Sequence, residues 1–373
     1  MKYIKGVNYN WAVENSIIEK LIVCKNMPTF MGCVENADFE NDYMSDLEFG
    51  ICQKTGTIQS LNRLSYDYVY IEPHNYCVGK TWNDHHEAFA KFITSNLQED
   101  SIIWEIGGSD GNLAKRCVDK VKEWHIIEPN KPLNAFEHKK IFYHSGYYPE
   151  IKITNADLVV HSQLFEHIRD PINFLKDIEC DNQVFSLPDF DYGLLAGFPS
   201  IISFEHEQVL DNETMHNLLH SCGYSYEKLN FNNFSYFYKI TRTHNPSEFI
   251  PVDANKSKEL LSTWYSVLEN QALEIQHRLS EINQPENVYF FGAHIFYTIL
   301  RSLGLEYTFT SLLDNSPLKI NKRFYGSNLY VNHPDVLKNL DNAIVVIPKV
   351  IYSKEMMDQV VSINKNVNII LSS

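Results

Sequence analysis

Between about residues 81 and 245, short apolar runs alternate with amphipathic stretches. His86-Glu87-Ala88-Phe89-Ala90-Lys91-Phe92-Ile93 spaces its apolar side chains as a helix does, and Ile102-Ile103-Trp104-Glu105-Ile106 follows as a nearly continuous apolar run of strand length. Further strands are predicted at Trp124–Ile127, Ile141–Tyr143, Leu158–His161 and Gln183–Ser186, with helical segments between several of them. Strands that alternate with helices predict a mostly parallel sheet with crossover connections, a Rossmann-like α/β domain.

The flanks read differently. Residues 1–80 are irregular, with short apolar runs, cysteines and turn-formers such as Asn26-Met27-Pro28 and Lys54-Thr55-Gly56, which predicts a small β-rich module. Beyond residue 245 a long helix is expected from Asn255 to Ile282, because Leu261, Trp264, Leu268, Ala272, Ile275, Leu279 and Ile282 form one apolar stripe. Strands are then expected at Asn287–Phe291, Ser311–Leu313, Ala343–Ile347 and Val367–Leu371, a smaller α/β unit over residues 246–373. Its turn at Gly292-Ala293 is open to two readings, a second dinucleotide site or a tight structural turn.

Composition narrows the function classes. With 44% hydrophobic residues the chain has ample material for a packed core. A formal charge of −15 leaves no basic excess to neutralise phosphates, so no nucleic-acid partner is expected. Met1–Gly6 shows no signal-peptide core and no apolar run reaches membrane-spanning length, so no membrane association and a cytoplasmic location are expected. Seven cysteines scattered along the chain do not suggest a disulfide framework.

The chemistry begins at the end of the first predicted strand. Glu105, Gly107, Gly108, Ser109, Asp110 and Gly111 form a glycine-rich turn ahead of the amphipathic segment Leu113–Val121. Glycines let a ligand approach backbone, and a helix N-terminus faces it. The spacing E-x-G-x-x-x-G is not the dinucleotide pattern, and Asp110 would repel a pyrophosphate. A cationic, phosphate-free ligand fits better, and S-adenosylmethionine is the obvious one. Glu128, followed by Pro129, closes the next strand 21 residues after Gly107, where a carboxylate can take both hydroxyls of a ribose.

A third segment, Ala156-Asp157-Leu158-Val159-Val160-His161-Ser162-Gln163-Leu164-Phe165-Glu166-His167-Ile168-Arg169-Asp170-Pro171, resembles the post-strand motif of class I S-adenosylmethionine-dependent methyltransferases. The resemblance implies that Ser162, Gln163 and Phe165 line the methyl donor's pocket. Glu166 and His167 are open to a plainer reading, as caps of the following helix. The wider layout is similar to that of sugar C-methyltransferases acting on nucleotide-linked keto-deoxysugars, which place a zinc-binding module before the donor domain and an α/β domain after it. Gly292-Ala293 and Asp314-Asn315-Ser316-Pro317-Leu318-Lys319 match segments of that last domain.

That subfamily carries Y-H-E-H, whose final histidine is the base; here the matching stretch is Ser203-Phe204-Glu205-His206. The resemblance implies His206 as general base, Glu205 as its partner, and Tyr76, with Tyr70 nearby, at the acceptor. Taken alone, His206 reads more readily as a surface residue in an acidic run, between Glu205 and Glu207. The family's two C-x-x-C knuckles are here Cys24-Lys25-Asn26-Met27 and Cys52-Gln53-Lys54-Thr55, each lacking its second cysteine. No metal ligands are therefore expected and packing should replace zinc, although Cys33, His74 or Cys77 stand near enough in sequence to complete a site. The expected function is methyl transfer to a carbon of a nucleotide-linked sugar; O-methylation and a donor-binding protein without turnover remain as alternatives.

Overall fold

The computed structural model describes residues 3–5, 10–13, 16–71, 78–132, 134–282 and 287–372. Its central sheet contains Ile102–Ile106, Glu123–Ile127, Ile141–His144, Leu158–Ser162, Asn182–Pro188, Tyr224–Phe231 and Ser235–Arg242. Counted along the chain, these seven strands lie in the order 3-2-1-4-5-7-6. The seventh runs antiparallel to both of its neighbours, and the other pairings are parallel. The expected strands are all present within a residue or two. The last two strands were not expected: their outer faces are polar, and Asn232 and Asn233, both with positive φ, carry the turn between them.

The order reverses between the first and fourth strands, so the connections after them leave in opposite directions. In open α/β sheets that reversal opens a crevice at the carboxyl ends of the strands. Both the glycine turn 107–111 and the segment 163–168 emerge there.

A four-stranded antiparallel sheet joins Ile18–Pro28, Met44–Cys52 and Ile58–Ser60 to an edge strand, Gln208–Val209, that comes from 148 residues further along the chain. Cys24 pairs opposite Leu47 and Cys52 opposite Ile18, so the two thiols sit at separate places along the ladder, both buried. Burial pushes the Cys24 thiol up to about 11, as expected of a packed cysteine. Met27 and Thr55, at the missing knuckle positions, are buried as well.

In the last third, five parallel strands lie in the order Val331–Asn332, Ser311–Leu313, Asn287–Phe291, Ala343–Ile347, Asn368–Leu371. The preceding helix, Ala254–Ser280, is capped by Asp253 and buries the expected stripe from Leu261 to Leu279; Ile282 lies just past its end. Trp264 of that stripe donates to the Phe198 carbonyl at 3.0 Å, which fixes the helix on the central domain. Among the described residues no helix is long and apolar enough to cross a membrane.

Three ties, the first two buried, hold these parts around one crevice. Glu207 forms an ion pair with Arg63 at 2.8 Å and accepts a hydrogen bond from Arg169 at 2.7 Å, with its carboxylate almost fully covered. Arg323 forms a two-pronged pair with Asp42 at 2.6 and 2.9 Å. Glu355 accepts from the amides of Lys80 and Thr81 and the Thr81 hydroxyl, and so satisfies the open N-terminus of helix Lys80–Thr94. Removing one partner of a buried pair strands the other charge, at a cost of about 3–5 kcal/mol. Glu207→Ala is therefore expected to destabilise the protein by about that amount in urea unfolding, and an unchanged midpoint would show the pair to be energetically idle.

Candidate active site

Gly107 adopts φ +75°, and its amide donates to the Ile127 carbonyl at 2.9 Å, which binds the turn to the second strand. Gly108 leaves no room for a side chain: a Cβ there would stand 2.6 Å from Ile126 and 2.9 Å from the Glu105 carboxyl group. Gly111, at φ +73°, opens the next helix, and a Cβ on it would meet the Tyr143 hydroxyl at 2.3 Å. Gly111 thus shapes the turn from behind, whereas Glu105, Gly107, Gly108, Ser109 and Asp110 line a cavity of about 1090 Å³. That exceeds the roughly 300–1,000 Å³ of a pocket for one small molecule, and leaves space for a donor and an acceptor together.

Glu128 and Pro129 line the same wall. The Glu128 carboxylate accepts from the amides of Ser109 and Asn130, both at 2.9 Å, so it is held in place with lone pairs to spare for hydroxyl donors. Glu105 lies beneath, buried, and accepts from the Trp124 indole at 2.8 Å. Burial pushes its carboxyl up to about 8; Asp110 and Glu128 push the same way, against the Trp124 hydrogen bond.

Ser162 and Gln163 close the opposite side. The Ser162 hydroxyl bonds the Ser186 hydroxyl at 2.8 Å, and Gln163, at φ +49°, donates its amide to the Ser186 carbonyl. Phe165 does not belong with them. Its ring is fully buried among His161, Phe174 and Phe185, and the side chain reaching the cavity is Leu164. The positive φ at Gln163 bends the chain, so the face expected for position 165 falls to its neighbour.

Glu166 and His167 form a short 3-10 turn and face the cavity; the helix Pro171–Asp177 is capped instead by Asp170, which accepts from Asn173. The capping reading of the pair therefore falls. His206 is likewise no surface residue. Its ring meets that of His167 at 5.1 Å in a near-perpendicular arrangement, and Glu205 and Glu207 on either side are buried. The His206 Nδ1 lies 2.9 Å from the Ile201 carbonyl, which cannot donate, so Nδ1 carries the proton and Nε2 keeps the lone pair. Burial holds His206 below the ordinary imidazole range, so the ring is neutral near pH 7; the Ile201 contact and Glu205 oppose that shift without reversing it.

Tyr70 reaches His167 Nδ1 at 3.1 Å, and the Glu205 carboxylate lies 4.0 Å from the same nitrogen. Tyr76, expected in this role, lies outside the described residues together with His74 and Cys77. The far wall comes from the last third of the chain: Gly292, His294, Asp314, Asn315, Lys319 and Tyr352 face the same space. The sequence signal for this was the Gly292 turn itself, though nothing in its pattern said that it opens toward the first turn. Lys319 is the one lysine or arginine on the described wall, and it is engaged by Asp314 at 3.1 Å and the Ala293 carbonyl at 3.0 Å.

No family model matches this chain, and no curated protein does. Among solved structures it is similar to the methyltransferase domain of bacterial CtHen1-C, with 11% identity and a TM-score of 0.36 over 44% of this chain and 99% of that one. It is also similar to a putative methyltransferase from Bacillus halodurans, with 10% identity and a TM-score of 0.33 over 43% of this chain and 99% of that one. An S-adenosylmethionine-dependent methyltransferase from Mesorhizobium loti gives 11% identity and a TM-score of 0.34 over 41% of this chain and 96% of that one.

Glu105 sets a pH dependence for the fold. An exposed carboxyl titrates near 4.5, whereas in the folded chain this one titrates near 8. Between those values the folded state holds a proton that the unfolded state has released, so stability falls as pH rises through the window and levels off above it. Glu105→Gln is expected to make that slope shallower without abolishing it, because burial also pushes the Glu166 carboxyl up to about 8; thermal unfolding at about pH 5 and about pH 9 measures the difference. A slope equally steep in the variant would mean that Glu105 is not its source.

Proposed function

We propose that this protein is an S-adenosylmethionine-dependent methyltransferase acting on a sugar, with a nucleotide-linked keto-deoxysugar as the acceptor and carbon as the site of transfer. The observation that carries the reading is the meeting, in one cavity, of an acid-lined glycine turn and a neutral histidine whose Nε2 is free of the backbone tie.

The turn suits a sulfonium donor for an electrostatic reason. Asp110 and Glu128 flank it with no lysine or arginine on that part of the described wall, a setting that favours a cation and opposes a pyrophosphate. Glu128, held by the Ser109 and Asn130 amides, keeps lone pairs that ribose hydroxyls could use.

In the proposed reaction His206 takes a proton from the carbon beside the acceptor's ketone, and the resulting enolate attacks the donor methyl in line as the neutral thioether leaves. Glu205 and the Tyr70–His167 pair hold the polar side of that space. Rate enhancement then rests on holding the two substrates in contact, with base assistance worth about 10²–10⁴-fold. Oxygen methylation would use the same base but gives a methyl ether and no proton exchange beside the ketone.

The test is incubation with S-adenosylmethionine and a panel of nucleotide-linked and unlinked sugars, read by mass spectrometry for the gain of one methyl. His206→Asn is expected to lower turnover by about 10²–10⁴-fold while calorimetry finds donor binding intact. Full turnover in that variant contradicts the assignment of the base. Donor binding with no product across the panel would favour a protein that has lost turnover.

A further inference from the structure

Glu166, His167 and His206 each offer one ligand atom, and the three atoms lie within 4.8 Å of one another. Two imidazoles and a carboxylate suit zinc, cobalt or manganese better than calcium or magnesium, which favour oxygen alone. We propose that this cluster is a binding site for a divalent transition cation, with its open positions toward the cavity.

Three observations beyond proximity point to a cation. The first is the state of the Glu166 carboxylate. It is 1% exposed, and its Oε2 has no hydrogen-bond partner. A buried carboxylate oxygen left without a donor is costly, and a metal ion is the ligand that removes that cost most fully.

The second is the way both rings are held. His206 gives its Nδ1 proton to the Ile201 carbonyl at 2.9 Å, and His167 has its Nδ1 beside the Tyr70 hydroxyl at 3.1 Å and the Glu205 carboxylate at 4.0 Å. Histidines that bind metals through one nitrogen commonly have the other fixed by a carbonyl, a carboxylate or a similar group, which orients the ring and sets its tautomer. Here the fixed nitrogen is Nδ1 in both rings, so both present Nε2.

The third is the scale of the gap. His167 Nε2 stands 3.9 Å from Glu166 Oε1. Ligand atoms about a tetrahedral zinc-like ion are separated by roughly 3.3 Å, given bonds of about 2.0 Å. Closing the cluster on an ion therefore takes side-chain movements of about an ångström, within the reach of two imidazoles on short loops. Cys24 and Cys52, which occupy the positions where a zinc knuckle was sought, sit elsewhere in the N-terminal sheet and contribute nothing to this cluster.

The site assignment stands apart from the methyl-transfer reading, and only its effect on turnover rests on that reading. A cation bound to His206 Nε2 occupies the lone pair that base catalysis needs. Metal and acceptor proton therefore compete for one nitrogen, and the metal-free protein is the active form.

The experiment titrates chelator-treated, full-length protein with Co²⁺ and follows visible absorption and methyl transfer in parallel. One equivalent is expected to bind with the d–d bands of a nitrogen–oxygen site. Glu166→Gln, His167→Asn and His206→Asn should each weaken binding by about tenfold or more, with circular dichroism confirming that each variant is folded. Cys52→Ser should leave the spectrum unchanged. Absence of stoichiometric binding overturns the proposal, as does an intense thiolate-to-cobalt band that survives Glu166→Gln. Binding with methyl transfer falling in proportion to occupancy supports both the site and the base. Methyl transfer that rises with occupancy keeps the site and removes His206 as the base. Binding without turnover in either form keeps the site while the methyl-transfer reading fails.

Discussion

The arrangement depends on one buried carboxylate. Glu207 sits between two guanidinium groups, Arg63 from the N-terminal sheet and Arg169 from the loop after the fourth central strand. Its amide donates to the Glu166 carbonyl and its own carbonyl accepts from Ser60. The next two residues, Gln208 and Val209, then form the edge of the N-terminal sheet. Glu205 and His206 precede this anchor directly, so their place in the cavity follows from it. Such a buried pair fixes one geometry more than it adds stability.

The same logic of ties from distant parts explains how a single cavity draws on the whole chain. Glu355, from the C-terminal unit, caps the helix that precedes the first glycine turn, and Arg323 with Asp42 joins the C-terminal unit to the N-terminal sheet. Each uses a charge where a terminus or strand junction would otherwise leave polar groups unmet. The glycine turn needs no such help, since its geometry is set by close backbone approach at Gly107 and Gly108 and by the packing of Ile126.

Much of this was legible in the sequence, and the exceptions have physical causes. Strands with two buried faces announce themselves as apolar runs, so Ile102–Ile106 and its parallel neighbours were found, and the long helix declared itself by its stripe. The hairpin Tyr224–Arg242 was missed because its outer residues are polar. Gln208–Val209 is too short to carry a period. Most of the turn residues expected at a donor site line the cavity, but Phe165 turned inward because Gln163 bends the backbone by one step, and Gly111 works from behind the turn. Glu166 and His167 were ambiguous for another reason. An acid and a histidine before a helix look alike whether they cap it or face a ligand, and only the capping bond from Asp170 separates the two.

The central claim is that the first glycine turn, not the turn at Gly292, holds the methyl donor and presents its methyl to His206. Crystallography of the protein with bound S-adenosylhomocysteine tests this most directly. The account predicts ribose hydroxyls on the Glu128 carboxylate and the sulfur directed toward the Glu205–His206 side of the cavity. A ligand seated at Gly292 and Asp314, or a sulfur turned away from His206, would contradict it.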